Sequence, residues 1–95
     1  MKIRFTPNAY TDIGEVYDYI AGDNPAAAQR VLDQIESMID HLVEHPSLGH
    51  PGRVSDTREL VIPNTPYIVA YELSSSFIDI LAIIHSSRRW PEKFS

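Results

Sequence analysis

"YIVAYELSSSFIDILAIIH" (residues 67–85) decides the fold. Two runs rich in β-branched and aromatic residues flank three serines, the pattern of adjacent strands joined by a short turn. The first run, Tyr67 to Leu73, and the second, Phe77 to His85, are therefore predicted to pair antiparallel. The second is apolar on both faces apart from Asp79, as expected of a central strand covered on both sides. Upstream, "RELVI" (58–62) is a third strand, separated from the first run by "PNTP", so the three form a meander.

The first half of the chain has a different period. "KIRF" (2–5) is a short strand, and Thr6-Pro7 supplies a helix N-cap followed by proline at the first helical position. Ala9, Ile13, Val16, Tyr17 and Ile20 recur at helical spacing, with Asp12, Glu15 and Asp18 on other faces. Gly14 interrupts that helix and marks a candidate close packing contact. Asn24-Pro25 repeats the cap and opens a second helix, whose stripe is Ala28, Val31, Leu32, Ile35, Met38, Ile39 and Leu42. That stripe is read as core, not as a cofactor box, and no cofactor is expected. About four residues join the helices, which predicts an antiparallel hairpin. "EHPSLGHPGRVSDT" (44–57), with two prolines and two glycines, is predicted to be a loop throughout. The expected architecture is α+β, ordered β-α-α-β-β-β: a small, mostly antiparallel sheet with a helical hairpin packed on one face.

Ninety-five residues allow one domain, 1–95. An apolar content of 43% fits a folded protein, and no run reaches the ~18–20 apolar residues of a membrane span. The absence of cysteine excludes disulfides and thiolate metal sites and fits a reducing cytoplasm. His41 and His45 stand at i,i+4, near His50, but no further ligands accompany them, so no metal site is expected.

The net charge of −5 is unevenly placed. In residues 1–45, Lys2, Arg4 and Arg30 oppose Asp12, Glu15, Asp18, Asp23, Asp33, Glu36, Asp40 and Glu44, so the whole imbalance lies there. In residues 46–95, Arg53, Arg58, Arg88, Arg89 and Lys93 balance Asp56, Glu59, Glu72, Asp79 and Glu92. This distribution argues against strong nucleic-acid binding, which needs a basic domain or stripe.

Five segments, in order and in register, carry a resemblance: "FTPNAYTDIGEVYDYIAGDNPAAAQRVLDQI", "HPSLGHPGRV", "TRELVI", "PYIVAYEL" and "ILAIIHSSRRWP". Together they resemble the RelE/ParE superfamily of bacterial type II toxin–antitoxin toxins. The resemblance implies a toxin neutralised by a cognate antitoxin in a hetero-oligomer, the antitoxin being of ribbon-helix-helix type. It also implies one of two targets. RelE-like members cleave mRNA on the ribosome, whereas ParE-like members poison DNA gyrase.

Metal-free RNA cleavage needs a base, an acid and cations around the phosphorane. By resemblance, Arg58 matches the first basic residue of a RelE-like set and Arg88 the late arginine, with His85 as a candidate acid or base. The match is incomplete. Ile68 stands where such nucleases often carry an arginine, and no lysine lies between Lys2 and Lys93. His85 also reads as a strand-end histidine donating to a backbone carbonyl. The ParE-like, gyrase-binding reading is therefore preferred, with a ribosome-dependent mRNA endonuclease or a degenerate toxin that only binds antitoxin as the alternatives, and no catalytic residue is assigned. Arg53, Arg58, Tyr71, Arg88, Arg89 and Trp90 are the candidates for antitoxin or target binding, with Tyr67 as a further aromatic anchor. Arg58 and Arg88 have an alternative internal role, pinned to an acidic residue of the same fold. The loop 46–57 and the segment 86–95, where positive charge is least opposed, are the expected contact surface for gyrase.

Overall fold

The computed structural model describes residues 1–94 and has the expected α+β architecture. Strand β1 (Lys2–Phe5) leads into helices α1 (Pro7–Ala21) and α2 (Pro25–His41). Strands β2 (His50–Pro51), β3 (Arg58–Val61), β4 (Tyr67–Leu73) and β5 (Phe77–His85) follow. Both helix starts are set by their caps. Thr6 Oγ1 accepts the Ala9 N–H at 3.1 Å and Asn24 Oδ1 accepts the Ala27 N–H at 3.0 Å, each with a proline at the head of the helix. The helices pack against each other as the predicted hairpin. Among the described residues no helix is long and apolar enough to cross a membrane.

The sheet order is β1-β5-β4-β3-β2, with β1 parallel to β5 and all other neighbours antiparallel. Its helix-facing side carries Leu60, Ile62, Tyr67, Val69, Tyr71, Ile78, Ile80 and Ile83, packed on Ala9, Val16, Ile35, Ile39 and Leu42. The opposite side carries Ala70, Ala82 and Ile84, covered by Trp90 and Phe94 of the C-terminal segment. The expectation that Phe77–His85 is covered on both faces therefore holds only in part: the tail covers the second face at Ala82 and Ile84, while Phe77, Asp79 and Leu81 stay half-buried.

Two local expectations need correction. The segment 44–57 is not a loop throughout, because His50 and Pro51 pair with Glu59 and Arg58 as a two-residue edge strand. Gly49 makes this approach possible: a Cβ there would lie 2.7 Å from the Glu59 carbonyl oxygen and 2.8 Å from the Tyr71 ring. Gly14 marks no close contact, since a Cβ at that exposed position would meet nothing within 4 Å.

Strand β5 also changes register within its length. Ala70 pairs with Ala82 but Tyr71 pairs with Ile80, so Leu81 is an extra, bulged residue. The bulge switches the inward set from Ile78 and Ile80 to Ile83. The Leu81 carbonyl accepts the Thr6 hydroxyl and the Asn8 side-chain amide, both at 3.2 Å. Helix α1 is thereby tied to the strand where β1 stops pairing.

Candidate functional site

The sequence-predicted site residues fall into two regions at opposite ends of the sheet. The first is built around the loop between α2 and β3. Tyr71, expected as an interface anchor, is 0% exposed. Its hydroxyl donates to the Pro46 carbonyl at 2.7 Å and accepts the Gly49 N–H at 2.9 Å. The residue presents no surface to a partner, because its polar end is spent on loop backbone.

Arg58 is likewise internal, although not through an acidic residue. Its guanidinium donates to the Gly49 carbonyl, from Nε at 3.0 Å, and to the Ser47 carbonyl at 3.1 Å. Among the candidate arginines, it is Arg53 that finds a carboxylate. Its backbone N–H and Nε reach Glu59 Oε2 at 2.8 and 3.1 Å, while Nη2 reaches Oε1 at 3.1 Å. Glu59 is only 2% exposed, and His50 Nε2 lies 3.4 Å from its Oε1. Burial opposes ionisation of Glu59, but the Arg53 hydrogen bonds and the Arg53 and His50 charges outweigh it and hold the carboxyl below its ordinary value. The outer face of the Arg53 guanidinium stacks on Trp90, 3.7 Å from the ring centroid. Trp90 thus has a definite place: it rests on the second face of the sheet under Arg53, with its Nε1–H buried and unpartnered among the described residues.

The second region lies where α1 passes the paired ends of β4 and β5. Asp12, Glu15, Val16, Tyr19, Tyr67, Ile83, His85, Ser87 and Arg88 line a groove of about 520 Å³. His85 packs edge-on against Tyr67, with ring centroids 5.5 Å apart. Its Nδ1 accepts the Ser87 N–H at 3.1 Å and meets the Ser87 hydroxyl at 2.8 Å. The expected donation to a carbonyl is therefore replaced by an accepted bond, which assigns the neutral ring's proton to Nε2. Asp12 Oδ2 accepts the Ile83 N–H at 3.0 Å, covering a strand edge that β1 does not reach. Burial raises the Asp12 carboxyl above its ordinary range, with the nearby Glu15 acting in the same direction; the Ile83 hydrogen bond and the Arg88 charge only partly offset this.

The structure brings together two of the three residues considered for RNA cleavage. His85 and Arg88 share the groove, whereas Arg58 lies elsewhere. Arg58 pairs with Tyr71 and His85 with Tyr67, four residues apart on β4, with β4 itself between their strands. At ~3.3 Å per residue and ~4.8 Å per strand, the two backbone positions are about 16 Å apart. The groove shared by His85 and Arg88 also holds two carboxylates. Arg88 and Arg89 are exposed and, among the described residues, have no side-chain hydrogen bond or ion pair. Of the surface expected over 86–95, Ser95 lies outside the described residues.

Sequence reasoning missed Asp12, Glu15 and Tyr19 as lining groups and Glu59 as the partner of Arg53. The helical triad was available in the sequence: positions 12, 15 and 19 recur at 3–4 spacing and share one face of α1. Glu59 carried no such signal, since its burial depends on the loop folding over β3.

Comparison with known proteins agrees over nearly the whole length. Residues 3–90 match the family model described as ParE toxin of type II toxin–antitoxin system, parDE. Y4kP of Sinorhizobium fredii is 41% identical over 96% of this chain and 94% of its own. Toxin RelE2 of Caulobacter vibrioides is 29% identical over 92% and 97% respectively. A solved structure of a chromosomal ParDE toxin–antitoxin system from P. aeruginosa superposes with a TM-score of 0.79 at 25% identity, covering 90% of this chain and 95% of that one.

Proposed function

The chain belongs to the ParE toxin family of type II toxin–antitoxin systems, and we propose that it poisons DNA gyrase by binding it, without cutting RNA. A toxin of this kind has a cognate antitoxin as its partner. In this reading the antitoxin is of ribbon-helix-helix type, the pair forms a hetero-oligomer, and the action is cytoplasmic.

The supporting observation is the dispersal of the cations. A cleaving phosphate in its five-coordinate form needs several positive groups around one point. Here Arg58 is bound to loop carbonyls and Arg53 to Glu59, and Asp12 and Glu15 share the groove of His85 and Arg88. Of the arginines in residues 46–95, Arg88 and Arg89 have no side-chain partner among the described residues, and they precede Trp90 on the C-terminal segment. That arrangement suits a protein surface bearing carboxylates.

The test is inhibition of gyrase supercoiling by purified toxin and by the double variant Arg88→Glu/Arg89→Glu. Both side chains are exposed, so the melting curve should be unchanged while inhibition falls by about tenfold or more. Full inhibition by the variant would refute the assignment of this surface. A second reading, a ribosome-dependent mRNA endonuclease, draws on the pairing of His85 with Arg88 in one groove and on the likeness to toxin RelE2.

A further inference from the structure

We propose that the groove between α1 and the Tyr67–His85 end of the sheet is a receptor for an arginine side chain presented by a protein partner. The first observation is Tyr67. Its ring is buried to all but 6%, yet among the described residues its hydroxyl has no hydrogen-bond partner and it lines the groove. The hydroxyl is not sealed off, since among the described residues Trp90 Nε1 alone is both buried and unpartnered, so it opens to the groove from a ring fixed by packing and is free to accept a partner's donor in place of water.

The groups around it are also uncommitted on the groove side. Asp12 uses Oδ2 for the Ile83 N–H and a long 3.5 Å contact with Asn8, leaving Oδ1 without a partner among the described residues. Glu15 is exposed and, among the described residues, makes no ion pair. Tyr19, 80% exposed, stands among the lining groups as a flat aromatic surface. His85 keeps Nε2–H as its free donor because Ser87 occupies Nδ1. The acceptors are thus two carboxylates and a phenol, and the donors are one imidazole N–H and the Arg88 guanidinium.

Two carboxylates against one guanidinium favour a cation and disfavour a phosphate-bearing ligand. A guanidinium suits the geometry better than an ammonium. Its planar fork can donate to a carboxylate and the Tyr67 oxygen together while its face lies on Tyr19. Arg88 and His85 Nε2–H then take the carbonyl groups of the partner's adjacent backbone.

The test is an NMR titration of the 15N-labelled full chain with N-acetyl-argininamide and with its neutral citrulline counterpart. Saturable shifts are expected at the amides of Asp12, Glu15, Tyr19, Ile83 and Ser87, with the citrulline compound binding at least several-fold more weakly. Glu15→Gln and Tyr19→Ala, both at exposed positions, should each weaken binding roughly threefold or more with the rest of the spectrum unchanged. Tyr67→Phe, which keeps the buried ring, should weaken it as well. Equal shifts with citrulline would overturn the proposal, as would shifts centred on Asp33, Glu36 and Asp40 of α2 or the absence of any saturable shift. Tighter binding of guanosine monophosphate in the same groove would overturn it in favour of a nucleic-acid ligand. The probe needs neither gyrase nor antitoxin, so its failure and the failure of the gyrase reading are separate results.

Discussion

Tyr71→Phe should destabilise the protein by about 2–4 kcal/mol without touching any partner surface. The substitution leaves the buried ring in place, so no cavity opens and the loss is confined to one oxygen. That oxygen satisfies the Gly49 N–H at 2.9 Å and the Pro46 carbonyl at 2.7 Å. Gly49 is buried against β3 and Tyr71, where water cannot replace the lost acceptor, so its N–H carries a desolvation penalty of about 1–3 kcal/mol. Pro46 is only half-buried and can recruit water, which limits its share to ~1 kcal/mol. For a domain of this size the sum lowers Tm by about 10–25 °C. Thermal melting monitored by far-UV circular dichroism reads the change, and amide exchange should speed most at Gly49. A Tm within 2–3 °C of the parent would refute the claim that the hydroxyl organises the loop.

Gly14→Ala should stabilise by up to ~1 kcal/mol, seen as a higher urea midpoint with the same m-value, since the added methyl meets nothing. Glu59→Gln should cost about 2 kcal/mol and loosen Trp90, read by tryptophan fluorescence, because Arg53 loses the anion that orients it over the ring. The same contact predicts acid sensitivity. The Glu59 carboxyl titrates below its ordinary 4.5 when folded, so its contribution is complete above that value and is lost as pH falls through the lower, folded-state value. A pH series of melting curves should show this loss in the parent and not in Glu59→Gln.

Much of the architecture was legible because local chemistry carried it. Thr6-Pro7 and Asn24-Pro25 announced both helix starts, and "YIVAYEL" and "FIDILAIIH" announced the central pair of strands. What escaped depends on contacts distant in sequence. The edge strand at His50–Pro51 exists because Gly49 can press against Glu59 and Tyr71, and two residues leave no periodic trace. The Leu81 bulge is invisible in a run apolar on both faces, where a shift of one residue changes no pattern. The candidate site was half legible. His85 and Arg88 do meet, but Arg58 and Tyr71 proved to be loop-holding residues. The carboxylates facing His85 come from a helix some seventy residues earlier.

The central claim is that the cations of this chain are too scattered to stabilise a cleaving phosphate. Primer-extension mapping of a defined mRNA on purified ribosomes programmed with the toxin tests it most directly, with gyrase supercoiling followed in parallel using the same preparation. Cations this dispersed predict intact mRNA and inhibited supercoiling. New 5′ ends in the message that vanish on His85→Ala or Arg88→Ala, with gyrase unaffected, would contradict that claim.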